Sequence, residues 1–157
     1  MNHLDIAYEN LNDLLDECFW AERRYFNAAE EVEITEYKRF LAKESVSRNK
    51  FCHKIVSRMA EEGITPNRLD IVKGSADRDW LDVIAAMEHK TPTNIVGACM
   101  IQDEMVLILL KRLIDDSWLP VHILEVLVPM EFQIKQSHAD LAKLKAKVKK
   151  KYKDSQL

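Results

Sequence analysis

The sequence is poor in the residues that interrupt helices: among 157 positions there are only 3 glycines and 4 prolines. Hairpin-rich folds, barrels and flexible linkers need more of both, so strand-rich and loop-rich architectures are excluded and helix is favoured. Cysteine is scarce too. Cys18, Cys52 and Cys99 lie far apart in the chain, with no Cys-x-x-Cys pair and no histidine at zinc-finger spacing, which excludes a structural zinc site and a disulfide framework. The three thiols read instead as small apolar core residues in a reducing compartment. Cys52 has His53 beside it, but adjacent residues on a helix point about 100° apart, so the two cannot act as a nucleophile and its base. No run approaches the roughly 20 uninterrupted apolar residues of a membrane span, and the opening MNHLDIAYEN carries charge where a signal peptide would be apolar. These absences point to a cytoplasmic protein without a membrane partner. There is no excess of positive charge either: 23 Lys and Arg against 26 Asp and Glu leave a net charge of -3, which gives no field to attract nucleic acid. A glycine-rich phosphate loop and a G-x-S-x-G turn are also missing, which removes nucleotide-dependent and serine-hydrolase chemistry.

What is present is a 47% apolar, 31% charged chain, enough for one domain, 1–157, with a sizeable core. Apolar residues recur at three- and four-residue steps through Leu4, Tyr8, Leu11, Leu15, Cys18, Tyr25, Ala29 and Val32, which predicts a first helix over 3–32. A second stripe through Tyr37, Leu41, Phe51, Ile55 and Met59 predicts a helix over 35–62, with Thr35 as N-cap and Gly63 as stop. So short a connection folds the pair into an antiparallel hairpin. Gly63, Pro66, Gly74 and Ser75 then interrupt the pattern before a short amphipathic helix over 77–88, built on Trp80, Val83, Ile84 and Met87. Thr91 followed by Pro92 marks the start of a helix over 92–116. After a turn at 117–120 a last helix runs over 120–151, kinked near Pro129 because proline leaves the Glu125 carbonyl without its donor. The expected architecture is an all-α, up-down four-helix bundle whose second and third long helices are joined by a long crossover carrying a short helix.

Two features of this bundle ask for partners. The helix over 92–116 is apolar almost all round between Val106 and Leu110, which predicts a homodimer formed through that helix. The last helix ends in a lysine ladder, Lys143, Lys145, Lys147, Lys149, Lys150, Lys151 and Lys153, read as a solvated, dipole-stabilised helix end. An anion or nucleic-acid contact is the sharper reading of the same residues, but apart from Tyr152 no aromatics are interleaved with the lysines. Trp80 is expected to seal one flank of the bundle, and His3, His53, His89 and His122 fall in surface contexts.

The candidate site comes from carboxylates on the inner stripes, where an acidic group is costly unless paired. Glu22 and Glu44 each lie about 11 residues from a turn near 33 and should share one level of the first hairpin. Glu104 and Glu131 lie about 14 and 13 residues from a turn near 118 and should do the same in the second. Four inward carboxylates at one depth is the pattern that holds iron or manganese between helices. Asp103, adjacent to Glu104, is an alternate ligand because the helix is apolar on both sides, and His138 is another. The residues that would complete a di-iron pattern are absent: three positions after Glu44 and Glu131 stand Ser47 and Ile134 where Glu-x-x-His is expected. Arg48, four after Glu44, can instead pair with Glu22 or Glu44 and fill the space of a metal.

The stretch LNDLLDECFWAERRYFNAAEE, Arg48, the Trp80 segment, the Asp103-Glu104 pair and the late QSHAD together resemble the bacterial ferritin-like family called domain of unknown function 2383. The resemblance covers nearly the whole chain and implies a ferritin-like four-helix bundle without an established biochemical role. Two readings stay open. One is a non-catalytic bundle with a degenerate carboxylate site, its acids paired with Arg48, Arg23 or Arg24. The other is an oxidoreductase-type bundle binding divalent iron or manganese through Glu22, Glu44, Glu104 and Glu131.

Overall fold

In a computed structural model all the secondary structure among the described residues, which are 2–66, 69–116 and 118–152, is helix, with the side chains of 69–74 also left undescribed. Ser117 of the predicted turn and Lys153 of the lysine ladder lie outside them. The five helices are α1 (His3–Glu31), α2 (Thr35–Glu61), α3 (Leu69–Ala86), α4 (Pro92–Asp116) and α5 (Val121–Tyr152).

Local chemistry accounts for several of the helix ends. Asn2 and Asp5 form a capping box at the start of α1, each side chain bonding the other's backbone N–H. Thr91 accepts from the Asn94 N–H at 3.2 Å, and Pro92 opens α4 where a missing donor costs nothing. The start of α2 differs from the sequence expectation: Ile34 is the cap residue, no side chain caps it, and Thr35 is already helical. At the far end of α2, Gly63 takes a φ of 71°, and the N–H groups of Gly63 and Ile64 return to the carbonyls of Ala60 and Met59 at 3.0 and 2.9 Å. That is a Schellman closure, which needs the left-handed conformation glycine adopts without strain.

α1 packs against α2, α3 and α4, while α5 packs against α2 and α4. Ala7, Cys18, Ala21, Ala28 and Ala29 are all buried on α1, and their small side chains let one helix accept three neighbours. Side-chain pairs fix the direction of travel. At one end His122 of α5 lies 2.8 Å from Glu62, and His3 of α1 stacks on Trp118 with ring centroids 4.6 Å apart. At the other, Tyr37 of α2 meets Thr93 of α4 at 3.3 Å, and Lys151 and Tyr152 reach Glu36. Neighbouring long helices are therefore antiparallel, and the connection between α2 and α4 carries the chain from one end of the bundle to the other.

The helix in that connection is longer than the sequence pattern predicts, starting at 69 instead of 77. Gly74 and Ser75 read as breakers, but a single glycine inside a helix costs only about 1 kcal/mol and does not end it. Trp80 and Ile84, 1% and 8% exposed, press α3 onto the bundle. Pro129 lies inside α5, which is one helix from Val121 to Tyr152.

α4 is long and apolar enough to cross a membrane by length and composition alone. Its apolarity has a local explanation: Val96, Cys99, Val106, Leu110 and Leu113 are fully buried against the other helices. Of the stretch expected to form a dimer surface, Val106, Leu109 and Leu110 thus belong to the core and Ile108 faces outward. The outward apolar stripe of α4 is Ile101, Met105 and Ile108, between 48% and 66% exposed.

Candidate functional site

Midway along the bundle the apolar core gives way to a polar cluster centred on Arg48 of α2 and Asp103 of α4, both 0% exposed. The guanidinium holds the carboxylate bidentately, with Nη1 to Oδ1 at 2.5 Å and Nη2 to Oδ2 at 2.7 Å. Such a fork matches the planar geometry of both groups and is the strongest form of this pair. Two further groups reach Oδ2 of Asp103: the Tyr25 hydroxyl of α1 donates to it, and His138 Nε2 of α5 lies 3.1 Å away. One carboxylate thus gathers a side chain from each of the other three long helices.

Arg48 also approaches Glu44, one turn earlier on α2, with Nη2 3.4 Å from Oε2. The other oxygen of Glu44 accepts from Ser137 of α5 at 2.8 Å. The Tyr25 ring lies under the guanidinium at 5.1 Å, a distance at which the ring face attracts a cation. Among the described residues Arg48 Nε has no hydrogen-bond partner, so the buried cation is held almost wholly through its two terminal nitrogens.

The electrostatics follow from this geometry. Burial alone would raise the Asp103 carboxyl, but the Arg48 charge and the hydrogen bonds from His138, Arg48 and Tyr25 outweigh it and hold the carboxyl well below the usual carboxylate range. Burial opposes the charge on Arg48, whereas Asp103, Tyr25 and Glu44 more than restore it, so the guanidinium is a permanent cation. The Tyr25 phenol is pushed far up by burial and by the adjacent Asp103, so it stays protonated and can donate to that carboxylate.

The structure separates the residues singled out in the sequence. Glu44 is buried inside the cluster, and Ser45 beside it bonds the Glu22 carbonyl at 3.0 Å, which puts Glu22 and Glu44 at one height. Glu22 itself is half-buried and accepts from Asn49 Nδ2 at 3.3 Å, not from an arginine. Asp103, not Glu104, points inward; Glu104 is exposed. Glu131 is partly exposed and lies 3.7 Å from Lys135 on its own helix. His138 is drawn to Asp103 and not to Glu131. Among the described residues no group of three or more His, Cys, Asp and Glu side chains is arranged to hold a metal ion. The ligand-type groups nearest the centre are Glu44, Asp103 and His138, and the cation among them is Arg48.

Of the two neighbouring arginines, Arg23 pairs with Asp77 of α3 at 3.1 Å, helping to fasten that helix. Arg24 is 2% exposed, and its Nη1 has no hydrogen-bond partner among the described residues. Sequence reasoning missed two contacts here. The Arg48–Asp103 pair joins residues 55 apart in the chain. Cys18 and Cys52, both fully buried on α1 and α2, are near enough to influence one another, and burial first, then the neighbouring Cys18 thiol, pushes the Cys52 thiol far up and keeps it protonated. No local pattern signals either pair, because each depends on how α1, α2 and α4 pack.

No curated protein and no solved structure matches the chain. A family model described as a domain of unknown function does match it, over residues 7–116. That segment takes in α3, nearly all of α1 and the whole of α2 and α4, and with them Tyr25, Glu44, Arg48 and Asp103. The chain belongs to the DUF2383 family.

Proposed function

We propose that this protein is a non-catalytic, ferritin-like bundle in which the Arg48 guanidinium occupies the place between the helices where carboxylate-rich relatives of that fold hold a metal. The bidentate Arg48–Asp103 pair carries the reading: a cation is already built into the chain at the point where the inward carboxylates meet. The topology supports it as well, since two antiparallel hairpins joined by one long connection is the ferritin-like arrangement. So do Ser47 and Ile134, which stand where metal-binding histidines of such bundles are expected. The role left to the site is structural, fixing α1, α2, α4 and α5 in register around one carboxylate.

The test is metal loading. Untagged protein is incubated anaerobically with ferrous or manganous ion, desalted and analysed for metal. The reading predicts no stoichiometric metal. About two ions per chain, lost in Glu44→Ala, would establish the other reading, an oxidoreductase-type bundle using Glu22, Glu44, Glu104 and Glu131, with Asp103 or His138 as alternates.

The same protein is proposed to act as a cytoplasmic homodimer, in keeping with its three free, buried thiols. Ile101, Met105 and Ile108 of α4, with Val121, Val128 and Phe132 of the adjacent antiparallel α5, are all exposed. Met105 and Phe132 lie at equal distances along the two helices from the turn, so the stripes lie at matching heights. A second copy related by a twofold axis presents the same two stripes and can cover them. Light scattering at micromolar concentration should give the mass of two chains, and Ile108→Lys should return it to one. A monomeric wild-type protein would remove the dimer from the account.

A further inference from the structure

The lysine ladder is a charged feature of the sequence that the central site does not use, and part of it lines a cleft. A cavity of about 530 Å³ lies between the last turns of α5 and the start of α4, lined by His89, Thr91, Thr93, Asn94, Lys145 and Lys149, with Ala146 at its wall. Its volume is within the range of small-molecule sites. Among the described residues no carboxylate lines it.

The two lysines differ in this from their neighbour. Lys151 is paired with Glu36 at 3.3 Å, whereas among the described residues neither Lys145 nor Lys149 has an ion-pair partner. Lys145 is only partly exposed, whereas Lys143, Lys147 and Lys149 are exposed. Its ammonium lies 3.8 Å from the point where a Cβ on Gly97 would stand, so it is folded over α4 and not extended into water. Lys145, partly buried and without an ion-pair partner among the described residues, shares the cleft with a second lysine, an imidazole and two hydroxyls, a set of donors suited to an anion.

We propose that this cleft binds the phosphate group of a small phosphorylated molecule. Lys145 and Lys149 supply charge, and the Thr91 and Thr93 hydroxyls supply directional hydrogen bonds. Thr91 keeps its second lone pair and its own hydrogen while capping Asn94. Ala146 and the lysine stems provide apolar wall for the rest of the molecule. The chemistry is that of a phosphomonoester or of inorganic phosphate, both of which the lysine pair would recognise in the same way.

The experiment is a titration of the isotope-labelled full chain with inorganic phosphate at constant ionic strength, followed through backbone amide resonances. A small phosphomonoester and a single-stranded oligonucleotide are run in parallel. Saturable shifts should be confined to residues 89–98 and 143–150. They should weaken about tenfold in each of Lys145→Gln and Lys149→Gln, the usual cost of one charged hydrogen bond. The double variant Lys143→Gln/Lys147→Gln, with lower net charge but an intact cleft, should bind as wild type does. A phosphomonoester that saturates at lower concentration than phosphate would show that the walls contribute. Shifts that fail to saturate, or that fall equally in the outer-lysine variant, would overturn the proposal in favour of diffuse attraction to a basic helix end. Binding of the oligonucleotide without binding of phosphate would overturn it in favour of a nucleic-acid surface.

Discussion

An arginine sealed from water is tolerated only where its charge is met in full, and removing one partner leaves the other stranded. Arg48 and Asp103 are in that position, at 0% exposure each. Asp103→Asn keeps the shape and removes the charge, so it should destabilise the fold by about 3–5 kcal/mol, read from urea unfolding. Arg48→Met should cost a similar amount, because the carboxylate is then the unpaired ion. The double variant Arg48→Met/Asp103→Leu should recover much of the loss, as apolar replacements of buried pairs do; costs that simply add would show that the two residues do not act as a pair. The same carboxyl sets an acid limb. Its pKa is depressed in the folded state, so the stability it contributes is complete above the unfolded value near 4 and is lost as pH falls below that. Urea midpoints should therefore fall in wild type below about pH 4, and Asp103→Asn should flatten that slope. In the sequence, Arg48 was visible as a partner for the carboxylate one turn before it. Asp103 could not be told from Glu104, because α4 has apolar neighbours on both flanks and burial alone decides between them.

At the scale of elements, the helices are legible where apolar spacing and caps agree and obscure where a breaker is tolerated. The stripes of α1, α2, α4 and α5 repeat every three or four residues because each helix buries one side, and Thr91-Pro92 marks a start by chemistry alone. α3 starts earlier than its apolar pattern indicates because the turn signature of Gly74 and Ser75 is tolerated inside the helix. Two substitutions test the element-level account in opposite directions. Gly63→Ala places a Cβ at a φ of 71°, and although no atom lies within 4 Å of it, the backbone strain should cost about 1 kcal/mol in thermal unfolding. Pro129→Ala restores the donor to the Glu125 carbonyl inside α5 and should stabilise the protein by about 1–3 kcal/mol. A destabilised Pro129→Ala variant would mean that the bundle depends on the local shape proline imposes.

For the whole molecule, the decisive fact is where the charges of the interior come to balance. Four long helices meet at one polar level, and the cation at that level belongs to the chain. The inward carboxylates could be located from helical spacing, but what neutralises them depends on a contact between α2 and α4, which sequence spacing does not encode. The most direct measurement is the metal content of wild type and of Arg48→Ala, each loaded anaerobically with ferrous or manganous ion, desalted and checked for helicity. If Arg48 holds the place of a cation, wild type retains no stoichiometric metal, whereas the variant, with Glu44, Asp103 and His138 left facing the vacated space, takes up more. Stoichiometric metal in wild type that does not increase when Arg48 is removed would contradict the account.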